Sequence, residues 1–157
     1  SSLTETTEEM WDKVVDTNMK GVFFCLKHEI LQMKKQGGGA IVNTASIGGI
    51  RMAPNFGAYG PSKAAVIALT QQASNENAKE GIRVNVVCPG PTLGTELMKN
   101  NLSTNPEEEQ MLKEHVIPNG RIGQAQDVAN AVVFLCSDMA KQTTGQTFSV
   151  DGGMHCS

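Results

Sequence analysis

Apolar and polar positions along the chain alternate between two periods. Met10, Val14, Met19, Val22, Phe23 and Leu26 recur at helical spacing toward Met33, and Thr6 followed three residues later by Glu9 has the form of a capping box. This pattern predicts a long helix. Gly37, Gly38 and Gly39 end it, and residues 40–45 (AIVNTA) form a short apolar run bounded by turn residues, as a buried strand does. A connection through Gly48, Gly49, Pro54 and Gly57 leads to a second helix over residues 59–79, its apolar side including Ala64, Ala65, Ile67, Ala68 and Ala73. Gly81 stops that helix. Residues 82–88 (IRVNVVC) are the second buried strand, broken by Pro89, Gly90 and Pro91 into a polar segment that runs to about Gly123. A third helix is predicted over residues 127–137, and a last strand over 147–150, closed by Asp151, Gly152 and Gly153.

Helix and strand in strict alternation predict an α/β layer architecture with a parallel sheet covered on both faces. Three strands make a narrow sheet, and the first begins only at residue 40, after a helix with no strand before it. An upstream strand is therefore expected to lie outside this sequence, leaving an apolar sheet edge and a poorly stable isolated chain. Composition fits one globular unit: 157 residues, 39% hydrophobic and 18% charged, read as one partial domain spanning residues 1–157.

Thirteen basic against sixteen acidic residues, a formal net charge of −3, provide no basic stripe for nucleic acid or anionic lipid, so neither partner is expected. No apolar run approaches the roughly 18 residues of a membrane span, and the first residues lack the basic and apolar regions of a signal peptide. The chain is read as soluble and cytoplasmic. Cys25, Cys88, Cys136 and Cys156 form no CxxC pair, and three of them sit in apolar stretches, so buried free thiols are expected. His28, His115 and His155 have no metal-ligand spacing, and no metal is expected. The final His-Cys-Ser reads as an exposed tail.

Tyr59 and Lys63 are four apart at the start of a predicted helix, on one face and one turn from each other. A tyrosine hydroxyl, with a pKa of about 10, exchanges protons poorly near neutrality, but a neighbouring ammonium favours the phenolate. Lys63 is thus a candidate to tune Tyr59 as a general acid/base. Such a pair alone is common on helix surfaces. Here Tyr59 is the only tyrosine, and Ser46 stands thirteen residues upstream at the exit of the first strand. Parallel α/β sheets place ligand sites at that end of their strands.

The stretch IVNTASIGGIRMAPNFGAYGPSKAA resembles the active-site segment of the short-chain dehydrogenase/reductase family, Ser46, Tyr59 and Lys63 matching its serine and its YxxxK motif. Asn18 in DTNMKGVFF matches the helix asparagine that completes that family's tetrad. RVNVVCPGP, RIGQAQDVANAVVFLCSD and TTGQTFSVDGG resemble its later segments in order, so the resemblance covers essentially the whole chain.

The resemblance implies the C-terminal part of a doubly wound Rossmann-type sheet, and an oxidoreductase transferring a hydride between NAD or NADP and an alcohol or carbonyl substrate. Tyr59 would exchange the proton and Ser46 would hold the same oxygen. Lys63 would bond the nicotinamide ribose as well as act on Tyr59, and Asn18 would position a proton-relaying water; its blander reading is an asparagine satisfying a helix kink. Pro89 and Gly90 would border the nicotinamide. Backbone near Thr92 would meet the carboxamide, and a threonine a few residues on would contact the cofactor. The family places that threonine at the position held here by Gly94, so Thr92 and Thr95 are both candidates. Substrate selection is expected from Leu97, Met98 and Leu102 in a mobile lid, and from Ile47, Met52 and Phe56.

The family's glycine-rich phosphate turn is not among these residues, since Gly37 to Gly39 follow a helix and enter a strand, the reverse of the required order. A homodimer or homotetramer is the expected state of the full-length protein. The alternative reading is a truncated, inactive fragment that keeps only the oligomerisation helices, residues 8–35 and 59–79.

Overall fold

The computed structural model of this chain describes residues 1–95, 98 and 106–156. Helix α1 (Glu8–Val15) begins one residue later than the sequence pattern predicts, because Thr7 is the cap: its hydroxyl accepts the Met10 amide at 3.2 Å. Thr6 instead donates to the Ser2 carbonyl at 2.8 Å, so the predicted capping box does not form. A π turn, Asp16–Lys20, joins α1 to α2 (Gly21–Gln36), making one continuous helical path with a local bulge.

Strand β1 (Gly39–Thr44), helix α3 (Tyr59–Asn77) and strand β2 (Ile82–Pro89) follow. The stretch expected to be a plain polar loop holds β3 (Thr92–Leu93), α4 (Pro106–Met111) and β4 (Gly123–Gln124). Helix α5 (Ala125–Cys136) and strand β5 (Thr147–Val150) complete the core. The main sheet has order β1-β2-β5 and is parallel throughout, with Thr44 opposite Val87 and Pro89 opposite Val150. All three strands therefore release their chains at one edge. A separate two-residue ladder pairs β3 with β4.

The faces of β2 explain the layers. Ile82, Val84, Val86 and Cys88 point to one side, where they pack with Leu26 of α2 and with Val66 and Ala73 of α3. Arg83 and Asn85 point to the other side. The Arg83 guanidinium donates to the carbonyls of Leu135 at 2.6 Å and Ser137 at 3.1 Å, satisfying groups that the end of α5 leaves without helical partners. Asn85 donates to the Thr143 carbonyl at 2.9 Å and accepts the Gln146 amide at 3.1 Å, tying in the loop before β5.

Two expectations are corrected by this packing. The buried stripe of α3 is Ser62, Val66, Thr70, Ala73 and Asn77, whereas Ala68 is exposed and Ala64, Ala65 and Ile67 are half-buried. This stripe is largely polar because each group has a partner. Thr70 accepts from Asn43 at 2.9 Å and donates to the Val66 carbonyl at 2.8 Å, and Ser74 meets Thr144 at 2.7 Å. Of the four free cysteines only Cys88 is buried; Cys25, Cys136 and Cys156 are exposed. Their apolar neighbours lie on outward helix faces, as at Phe23, Phe24 and Val133, so apolar sequence surroundings did not mean burial. No helix among the described residues is long and apolar enough to cross a membrane.

The polar stripe of α3 makes a direct prediction. Thr70→Val should destabilise the chain by about 1–3 kcal/mol, because it leaves the buried Asn43 amide without its acceptor. Ala68→Ser on the opposite face should stay within about 0.5 kcal/mol. Urea unfolding of the two variants beside the parent chain measures both.

Candidate active site

The carboxyl edge of the sheet is where the candidate residues gather. The β1 ladder extends one bond beyond its last residue, with the Ala45 amide donating to the Val87 carbonyl at 2.9 Å, and the chain then turns at Ser46. Ser46 caps a short 3-10 turn, Ile47–Gly49, its hydroxyl accepting the Gly48 amide at 3.1 Å. After the connection, α3 opens with Tyr59, so Lys63 stands one turn further along the same helix.

Lys63 reaches back to the sheet. Its ammonium donates to the Thr44 carbonyl at 3.1 Å, bridging the end of β1 to the first turn of α3. The same nitrogen lies 5.8 Å from the centre of the Tyr59 ring, within reach of cation–π attraction. Burial pushes the Lys63 ammonium below its usual pKa, with the neighbouring Cys88 acting in the opposite sense. Phe56 packs edge-on against Tyr59, ring centres 5.9 Å apart and planes at 88°. The Tyr59 hydroxyl itself has no hydrogen-bond partner among the described residues.

Asn18 falls inside the π turn between α1 and α2. Its side-chain amide donates to Ser62 Oγ at 3.1 Å, and Ser62 Oγ donates to the Tyr59 carbonyl at 2.7 Å. Asn18 is therefore both a residue of a helix distortion and one end of a short hydrogen-bonded path to the backbone of Tyr59. Ser62, which carries that path, gave no signal in the sequence beyond its place between Tyr59 and Lys63.

Cys88 is a second residue missed by sequence reasoning. It is fully buried under the site, within the electrostatic reach of the Ser46 backbone N–H, Asp151 and Lys63. Burial pushes its thiol up to about 11, the Ser46 N–H working against that rise. At neutral pH it is a protonated thiol packed with Ala45, Val66 and Val86. Its only mark in the sequence is its position one residue before Pro89.

At the end of β2, the Gly90 amide donates to the Val150 carbonyl at 3.0 Å. A Cβ on Gly90 would stand 2.9 Å from the Asp151 Cα, so close packing on β5 already requires glycine there. Thr92 donates to the Gly90 carbonyl at 2.9 Å; Thr95 donates to the Thr92 carbonyl at 3.0 Å and accepts the Met98 amide at 3.2 Å. Both hydroxyls hold the turn. Between them Gly94 has φ +82, a left-handed conformation that a threonine would strain.

Of the residues expected to select substrate, Phe56 lies beside Tyr59 and its ring covers Gly48, while Met52 sits over Gly60. Met98 is buried with Ile117 and Ile122 rather than presented to solvent, and Leu97 and Leu102 lie outside the described residues. A hollow of about 540 Å³ lined by Gly39, Gly81, Arg83, Cys136 and Lys141 opens at the opposite, amino end of β1 and β2, away from these groups. Among the described residues, no cluster of three or more His, Cys, Asp and Glu side chains is placed to hold a metal ion.

Known proteins resemble this chain along nearly its whole length. A family model described as enoyl-(acyl carrier protein) reductase matches residues 1–155. The 3-oxoacyl-[acyl-carrier-protein] reductase of Staphylococcus aureus is 45% identical over 150 residues, which make up 94% of this chain and 58% of that relative. A solved short-chain type dehydrogenase/reductase from Mycobacterium ulcerans has a TM-score of 0.90 at 36% identity, the match covering 99% of this chain and 55% of that one. A putative 2-deoxy-D-gluconate 3-dehydrogenase from Agrobacterium tumefaciens with bound NADP reaches 0.93 at 32% identity, covering 100% and 63%. The chain thus spans less than two thirds of the length of these relatives. Its parallel sheet with helices on both faces is the Rossmann-type arrangement of the matched structures. By its match over residues 1–155 and its likeness to these proteins, the chain belongs to the short-chain dehydrogenase/reductase family.

Proposed function

We propose that this chain carries the proton-transfer half of an NAD(P)-dependent oxidoreductase that moves a hydride between the cofactor and an alcohol or carbonyl substrate. The observation that carries the reading is the Tyr59 hydroxyl, unpartnered among the described residues, beside an ammonium anchored on the end of β1. A hydroxyl free to bond a substrate oxygen and a fixed positive charge near its ring are what a tyrosine acid/base needs. The names of the relatives point the same way, one a reductase of a 3-oxoacyl carrier protein and another a dehydrogenase holding NADP.

In this reading Tyr59 gives its proton to the carbonyl oxygen during reduction and takes it back during alcohol oxidation. Lys63 stabilises the negative charge that develops on the tyrosine oxygen, and Ser46 shares the substrate oxygen by a hydrogen bond. Asn18, whose amide nitrogen is engaged with Ser62, keeps its carbonyl oxygen available to hold a relaying water. The residues present fit a nicotinamide nucleoside: an ammonium has three donors and Thr44 takes one, leaving others for ribose hydroxyls, while the turn Pro89, Gly90, Thr92 and Thr95 borders the ring side. The bound nicotinamide would supply or accept the hydride. The phosphate-binding turn and the residue that selects NAD or NADP would belong to a part of the protein beyond these residues.

The assembled protein is proposed to be a cytoplasmic homodimer or homotetramer acting on small molecules. Exposed apolar side chains support self-association: Phe23, Phe24 and Leu31 on α2, and Val133, Phe134 and Phe148 around α5 and β5. The same surfaces, with one edge of β1 unpaired among the described residues, support a second reading, a fragment that associates without catalysing.

Oxidation of reduced nicotinamide in the presence of a 3-oxoacyl thioester or simple ketone separates these readings. Tyr59→Phe should lower kcat/KM by roughly 10²–10⁴-fold while leaving the unfolding midpoint nearly unchanged, since the hydroxyl has no internal partner. A Tyr59→Phe variant with parental turnover would sink the acid/base assignment. Turnover in a longer product but none in the 157-residue chain would favour the fragment reading.

A further inference from the structure

Residues 151–156, which follow β5, do not form a loose tail. They make a short turn, Met154–Cys156, folded onto Asp151 and held from outside by Arg51, which donates to the Met154 carbonyl at 2.9 Å. The Asp151 side chain is 3% exposed and anchored by backbone: Oδ1 accepts the Gly153 amide at 3.0 Å and Oδ2 the His155 amide at 2.9 Å. The same Oδ2 stands 2.9 Å from His155 Nδ1, and His155 Nε2 stands 3.0 Å from Cys156 Sγ. Cys156 is exposed. None of these groups takes part in the proton transfer assigned to Tyr59.

A carboxylate facing Nδ1 requires a proton on that nitrogen, which leaves the lone pair of Nε2 directed at the thiol. Nucleophile, base and a third group that orients the base are then in line, the arrangement by which weak nucleophiles are activated. Cys25 and Cys136 are also exposed, yet neither has a histidine partner among the described residues.

We propose that Cys156, His155 and Asp151 form an activated-thiol site that exchanges with low-molecular-weight disulfides. Cys156 Sγ attacks one sulfur of a disulfide RS–SR while its proton passes to His155 Nε2. The new Sγ–S bond forms as the RS–SR bond breaks, and the leaving sulfur takes the electron pair and recovers the proton from Nε2 as RSH. Cys156 is oxidised to a mixed disulfide and half of the small disulfide is reduced. Asp151 is a positioning residue, acting through the imidazole. Because its backbone packs on Gly90, the site lies directly behind the turn at the end of β2.

The test uses the 157-residue chain and 5,5′-dithiobis(2-nitrobenzoic acid), with peptide mass mapping to give a separate rate for each cysteine. In the folded chain Cys156 should react about tenfold or more faster than Cys25 and Cys136, an advantage that vanishes in urea. His155→Gln should bring Cys156 down to the rate of the other two, whose own rates stay unchanged, and Asp151→Asn should give an intermediate rate. Equal rates for the three thiols in the folded chain would overturn the proposal, as would an undiminished Cys156 rate in His155→Gln. The folded-to-urea comparison needs no variant, so a substitution that fails to fold leaves the test intact.

Discussion

The middle strand of the sheet has water on neither face, and most of the architecture follows from that constraint. β2 is hydrogen-bonded on both edges, to β1 and β5, and its alternate side chains are buried on both sides. A strand so enclosed must have every backbone group paired and every polar side chain matched. The apolar set, Ile82 to Cys88, draws α2 and α3 onto one face. Arg83 and Asn85 are accommodated on the other only because the end of α5 and the loop before β5 present carbonyls to them. Parallel pairing then brings the exits of β1, β2 and β5 to one edge, which is why Ser46, Gly90 and Asp151, distant in sequence, follow neighbouring strand ends.

The candidate groups at that edge are tied to one another. Lys63 links the first turn of α3 to the last residue of β1, Ser62 links the Tyr59 backbone to the π turn holding Asn18, and Cys88 fills the floor between them. The Tyr59 hydroxyl stays open, with no hydrogen-bond partner among the described residues, while no buried side-chain polar atom among them lacks one. An open hydroxyl held beside a fixed charge is the feature on which the proposed acid/base role of Tyr59 rests.

Much of this was legible in the sequence where a period or an unusual residue stood out. β1, β2 and the span of α3 are marked by apolar runs and by glycines at their ends. Tyr59, Lys63 and Ser46 are marked by spacing and by the family resemblance. The π turn at Asp16–Lys20 leaves no such mark, because one extra residue only shifts the phase of the helical pattern. Strands as short as Thr92–Leu93 and Gly123–Gln124 carry no period at all. The inner stripe of α3 was misplaced because its buried residues, Ser62, Thr70 and Asn77, are polar and acquire partners only in the folded chain. Cys25 and Cys136 were misplaced for the converse reason: apolar neighbours cannot distinguish a helix face that meets the sheet from one left outside. The contacts of Cys88 and of Cys156 with His155 likewise exist only once the strand ends and the final turn are assembled.

In the proposed function, the residues around Lys63 and the turn after β2 receive the nicotinamide end of the cofactor. Thermal unfolding of the 157-residue chain in the presence of increasing NADH or NADPH tests it most directly, since a ligand at 100 times its dissociation constant adds about 2.7 kcal/mol of stability. The account predicts a saturable rise in Tm with one of the two, diminished in Lys63→Met. A rise of the same size in Lys63→Met would contradict it, whereas melting that is indifferent to both nucleotides up to millimolar concentration would favour the fragment reading.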